Sequence, residues 1–268
     1  MKRFPFFALL VLMIAALACG GTAPAAEPEP TATLVPVQPS DTPAPTDTPL
    51  PTDTPTPPPT ATPDAAATAA VIATQGASDV LTELDKWLSG SDVAYKDGKL
   101  LWQQTEEVTI NMSGPQMEDN FRELDGNLTA GDFVFKSDVT WEASGVLICG
   151  AIFRSEPNLD SGLQYQFYFY RLSGLPAYFI DVYDFGQFKN TITDTRFSGD
   201  LDVSNGGTNQ FMLVAQDNQF NVYINGNRQS RFFDDSKKRS EGFFAFLAWQ
   251  ESGTGSCKFE NSWVWSLD

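Results

Sequence analysis

The chain has 268 residues, with 17 basic against 34 acidic side chains, a net charge of −17 and no histidine. A surface this acidic repels phosphate backbones, so nucleic acid is excluded as an expected partner. The missing imidazole excludes Ser-His-Asp and Cys-His nucleophile systems and any histidine zinc site.

Lys2 and Arg3 open the chain, an apolar run follows from Phe4 to Ala18, and Ala16-Leu17-Ala18-Cys19-Gly20 closes it. The run of about fifteen residues suits a signal h-region and is short of the ~20 that a spanning helix needs. This arrangement resembles a bacterial lipoprotein signal, with Ala16 where leucine is commoner. The resemblance implies that residues 1–18 are removed and that Cys19 is acylated and becomes the first mature residue. It also implies an extracytoplasmic address, lipid-anchored to the bacterial cell membrane or surface, with the bilayer touched only through that anchor.

Residues 19–62 are built from Pro, Thr, Ala and a few acids, and 15 of the 18 prolines lie at or before Pro63. Such a segment cannot bury enough apolar surface to offset its ordering entropy, so a disordered, extended stalk is expected. Residues 63–90 read as helical. Thr62-Pro63-Asp64 forms a helix start, an Ala-rich run continues to Thr74, and Gly76 predicts a break. Ser78 then caps a second segment in which Val80, Leu81, Leu84, Trp87 and Leu88 share one face, expected to pack on the flank of the following domain.

Residues 91–268 read as strands. Phe133 to Trp141 alternates, with Phe133, Phe135, Val139 and Trp141 on one face. Leu163 to Leu172 is rich in Tyr and Phe, and Tyr178 to Tyr183 alternates again. Phe211 to Ala215 and Phe220 to Ile224 flank the turn pair Asp217-Asn218, and Asn225-Gly226 favours a type I′ hairpin. Phe243 to Trp249 and Ser262 to Leu267 complete the set. Strands at this spacing without intervening helices predict an all-β, two-sheet sandwich or barrel.

The order of the segments GDFVFKSDVTWE, CGAIFRSE, YQFYFYRLSG, NQFMLVAQDNQFNVYINGN, EGFFAFLAWQ and CKFENSWVW resembles the concanavalin-A-like jelly roll. The variant it is most similar to is the laminin-G-like and 3-keto-disaccharide-hydrolase type, over roughly Gly131 to Leu267. The resemblance implies two antiparallel sheets, with ligands held on a concave face or on rim loops. It leaves activity open, because this fold hosts lectins, glycosidases and adhesion modules.

Glycosidases of this class carry Glu-x-Asp-x-x-Glu, which places two carboxylates on one strand face across the scissile bond. Here Glu83-Leu84-Asp85 runs on to Leu88, and Glu123-Leu124-Asp125 runs on to Leu128, so neither completes the motif. No catalytic residue is assigned, and a binding role is expected ahead of an enzymatic one. Asp200-Leu-Asp-Val-Ser-Asn-Gly206 has the alternating acids that begin an EF-hand loop, but its glycine comes one place late and Phe211 stands at position twelve. An Asx-rich turn is the simpler reading, so no cofactor is assigned and calcium is left open.

With Cys19 acylated, Cys149 and Cys257 remain as an even pair in an oxidising location, which predicts a disulfide; two free buried thiols are the alternative. On the strand around Phe167 and Phe169, Tyr168 and Tyr170 face the opposite way. Together with Arg154, Asp181 and Tyr183 as hydrogen-bonding groups, they form the candidate ligand platform for sugar hydroxyls. A strand buried under a loop or helix would show the same pattern. The sequence therefore reads as a surface-displayed binding module for glycan, polysaccharide or another cell-surface component. The alternatives are a glycoside-acting enzyme on the same fold and a structural or sensory domain with no small ligand.

Overall fold

The structure is a computed structural model and describes residues 65–113, 118–172 and 174–267. The signal segment 1–18, Cys19, the stalk 19–62 and the Thr62-Pro63-Asp64 helix start lie outside the described residues. No helix among those residues is long and apolar enough to cross a membrane.

The described chain opens with helix α1 (Ala65–Leu88) and a short 3-10 turn (Tyr95–Asp97). Fourteen strands follow: β1 (Lys99–Gln103), β2 (Val108–Ser113), β3 (Glu118–Glu123), β4 (Thr129–Ala130), β5 (Phe133–Ala143), β6 (Leu147–Ser155) and β7 (Gln164–Leu172). The rest are β8 (Leu175–Asp184), β9 (Gln187–Phe197), β10 (Thr208–Gln216), β11 (Gln219–Ile224), β12 (Asn227–Phe233), β13 (Gly242–Gln250) and β14 (Thr254–Ser266).

They form two antiparallel sheets. Sheet I runs β1-β14-β5-β10-β11-β12 with β2 also on β14, and sheet II runs β3-β13-β6-β7-β8-β9 with β4 also on β13. The chain changes sheet between β2 and β3, β4 and β5, β5 and β6, β9 and β10, β12 and β13, and β13 and β14. That alternation makes the jelly-roll sandwich. Asn225 and Gly226 join β11 to β12 with φ of 49° and 83°, the positive pair that a type I′ turn requires.

The core lies between the sheets and follows strand alternation. Phe133, Phe135, Val139 and Trp141 of β5 face inward on the predicted side, as do Phe167 and Phe169 of β7 and Phe244 and Phe246 of β13. Rings meet across the layer, with Phe133 and Phe244 edge-on at 4.7 Å and Phe246 stacked on Phe259 at 4.3 Å. Cys149 of β6 and Cys257 of β14 are bonded, with Cα atoms 5.8 Å apart, and so fasten sheet II to sheet I. Such a bond fits an oxidising, extracytoplasmic compartment.

The outer face of sheet I is covered by α1. Val80, Leu84 and Leu88, at helical spacing, pack with Val134, Met212, Val214, Trp263 and Trp265. Lys136 is buried in this seam between Asp138 at 2.9 Å and Glu83 at 3.4 Å, and donates to the Asn261 carbonyl. Trp263 Nε1 donates to Glu83, so this acid is a tie between helix and sheet. The break expected at Gly76 is absent, and one helix runs through it. Gly76 is where the helix crosses β1, and a Cβ there would meet the Gln103 side chain and lie 3.7 Å from Leu100. The glycine permits a close approach instead of ending the helix.

Candidate ligand face of sheet II

The outer face of sheet II is the one that α1 leaves free, and strand pairing places its side chains in rows. One row crosses the sheet as Phe121, Leu247, Gly150, Tyr168 and Phe179. Beside it run Trp249, Ile148, Tyr170 and Ala177, and on the other side Glu123, Ala245, Ile152, Gln166, Asp181 and Thr191. Next to that row stand Gln164, Tyr183 and Phe188. Alternation along β7 and β8 therefore brings Tyr168, Tyr170, Asp181 and Tyr183 onto one face.

These groups differ in access. Tyr168 is 4% exposed and stacks on Phe179 at 4.6 Å, and its hydroxyl donates to Gln166. Tyr170 is buried edge-on to the same ring. The pair is a packed floor and not an open ligand platform, which is the buried-strand alternative that the sequence also allows. Leu159, from the loop between β6 and β7, packs on this cluster and helps to cover it. The accessible aromatic surface lies further along the face: Tyr183 is partly exposed and meets Phe188, edge-on at 6.1 Å and largely open to solvent. At the β3 side, an open groove of about 520 Å³ is lined by Asn120, Phe121, Glu123 and residues 157–160.

Asp181 is 7% exposed. Burial pushes its carboxyl up to about 6, against the lowering effect of a hydrogen bond from Thr191. Its Oδ1 has no hydrogen-bond partner. A buried acceptor left in that state costs about 1–3 kcal/mol, so this face lacks a donor.

Arg154 does not join the face. The strand alternation breaks at Arg154, where φ is 48° and the β6–β13 register shifts, so the side chain turns to the end of the sandwich. There it is 1% exposed and donates to the carbonyls of Gly131 and Asp217, with Phe133 and Phe220 about 6 Å from the guanidinium. Tyr165 extends the same cap, donating to Asp234 at 2.6 Å; burial, then that bond, raises its phenol. Arg154 is a loop tie.

The calcium-like segment closes on itself. Asp202 accepts from Ser204 in an Asx turn, while Asp200 accepts from Asn227 and Gln229 of the β12 hairpin. Among the described residues no group of three or more acidic or sulfur ligands converges.

Phe188, Thr191 and Trp249 belong to the face, and sequence reasoning did not select them. Trp249 was available from the alternation of Phe243 to Trp249. Phe188 and Thr191 lie on β9, which has only one buried position and so no alternation to read.

The topology defines the class: a two-sheet antiparallel jelly-roll sandwich. Neither a protein-family model nor a curated protein matches the sequence. Among solved structures, the chain is similar to carbohydrate-binding module CBM66 from Bacillus subtilis, with 18% identity over 59% of this chain and 94% of that one, at a TM-score of 0.46. It is also similar to sheep galectin-11 in complex with glycerol, with 9% identity over 54% and 99% of the two chains and a TM-score of 0.35. A third, Bacillus licheniformis β-glucanase, shows 12% identity over 60% and 78% at 0.42.

Proposed function

We propose that the protein is a glycan-binding module displayed outside the cytoplasm, that its ligand lies on the outer face of sheet II, and that acylated Cys19 anchors it to the membrane. The observation that carries the binding reading is the asymmetry of the sandwich. Sheet I is roofed by α1, whereas sheet II presents rings beside a groove and a buried carboxylate oxygen that lacks a donor. Sugars present apolar C–H faces to rings and hydroxyl donors to such acceptors. Tyr183 and Phe188 supply the rings, and Asp181, Gln166 and Thr191 the polar groups.

The full chain should be retained on gels carrying polysaccharides. Tyr183→Ala and Trp249→Ala should each lower retention by about tenfold, while Lys96→Ala on the α1 side leaves it unchanged. Equal retention of all three variants would place the ligand elsewhere. The anchor is supported by the signal-like opening, and the address outside the cytoplasm by the oxidised Cys149–Cys257 pair. Labelling with an acyl-chain analogue should mark the wild type and not Cys19→Ser; equal labelling ends that part of the proposal.

A further inference from the structure

We infer that the ligand is an extended, neutral polysaccharide lying along the β8–β9 hairpin and held by aromatic contacts at both ends; this rests on the glycan reading above. Five large apolar side chains are exposed among the described residues, and four of them, Leu175, Phe185, Phe188 and Phe197, belong to this one hairpin. Pairing sets their order along it. Phe197 stands beside Ala177 at one end, Thr191 beside Asp181 in the middle, and Phe188 beside Tyr183 at the other end. From Ala177 to Tyr183 the strand advances ~20 Å at about 3.3 Å per residue, several times the width of a sugar ring. Phe179, partly exposed, lies between. A mono- or disaccharide would cover one end and leave the other rings wet.

The middle of the stripe argues against an apolar protein surface as occupant. Asp181 and Thr191 interrupt it, and Asp181 Oδ1 lacks a donor. An apolar partner would bury that oxygen more deeply, whereas a polyhydroxylated chain brings donors at every unit. Charge selects among glycans. Lys189 is already paired with Asp184 at 3.5 Å, and Arg196 stands opposite Tyr178, on the face turned toward sheet I. The other charges named on this side, Asp181, Glu123 and Asp160, are all acidic. A polyuronate would meet like charge, with no free cation on this face among the described residues to offset it.

The test uses the purified full chain on affinity gels containing neutral polymers (β-glucan, xylan, galactomannan, inulin) or polyuronates (alginate, polygalacturonate). Oligomers of the polymer retained are then titrated by calorimetry. Retention is expected on a neutral polymer and not on polyuronates, with affinity climbing about tenfold or more from disaccharide to hexasaccharide. Phe188→Ala and Phe197→Ala should each weaken polymer binding by about tenfold. Both rings are exposed, so unchanged melting temperatures verify that the variants fold. A flat oligomer series, or wild-type binding by both variants, overturns the stripe and leaves the glycan reading standing. Preference for a polyuronate overturns the neutral class in the same way. Retention on no gel overturns both.

Discussion

Asp181 sits in the fold at a cost that depends on pH. Burial pushes its carboxyl up to about 6 from an ordinary value near 4, so between those limits the native state holds the proton more tightly than the unfolded chain does. Stability contributed at this position is therefore highest at low pH and falls as pH rises through that window. Asp181→Asn should stabilise the unliganded domain at pH 8 by about 1–3 kcal/mol and leave it little changed near pH 4. Urea unfolding at both pH values measures this, and a loss of stability at pH 8 would show that the ionised carboxylate is satisfied. Asp234 has the opposite sign. Burial would raise it, but donors from Ser236, Tyr165 and Lys238 hold it below the usual range, so its contribution fades in acid. Alternation alone was enough to put Asp181 and Tyr183 on one face from the sequence. It failed at Arg154, because a residue in the left-handed region breaks the period of two and nothing in its neighbours announces the bulge.

Helix α1 is a roof element whose stability is tertiary. Its buried Val80, Leu84 and Leu88 are matched by the tryptophans of β14, and Leu84→Ala should cost about 2–5 kcal/mol. Because α1 lies on sheet I, that substitution should leave ligand affinity at sheet II unchanged in the folded fraction. Unfolding followed by tryptophan fluorescence and binding at low temperature separate the two effects. Most elements with a buried face were legible in the sequence: β5, β7, β8, β10, β11, β13 and the apolar stripe of α1 carry their period openly, whereas β6 is buried at every position and has no alternation to show. The strands that escaped are mostly at the rims of the sheets. In Gln187–Phe197 and Asn227–Phe233 one position each is buried, because an edge strand has a neighbour on one side only and little core to face. The accessible half of the ligand face lies on such an edge, so its rings at Phe188 and Phe197 could not be singled out by hydrophobic pattern.

At the scale of the described domain, two sheets are closed by the Cys149–Cys257 bond. Cys149 and Cys257 are 108 residues apart, and a loop of that size corresponds to about 4–5 kcal/mol in the chain-entropy account. Reduction, or Cys149→Ala with Cys257→Ala, should therefore lower the melting temperature by about 10 °C for a domain of this size. Calorimetry with and without reductant checks it, and an unchanged transition would mean that the sheets hold together without the tie. The partner cysteine lies on β14, which pairs with β1, β2 and β5 and so joins the first two strands to the rest of sheet I although it is the final strand in order. Strands β1 and β2 have no partner strand in sheet I until Thr254–Ser266 has left the ribosome. Cys149 emerges 108 residues ahead of Cys257, on the order of ten seconds earlier at ribosomal pace. During that interval β5, β10, β11 and β12 already supply a layer opposite the aromatic strands β6 to β8, but no covalent tie joins the two. Covalent closure is thus a late event in the life of the nascent chain, and the same final strand that brings the second sulfur also seats the first two strands of the sandwich.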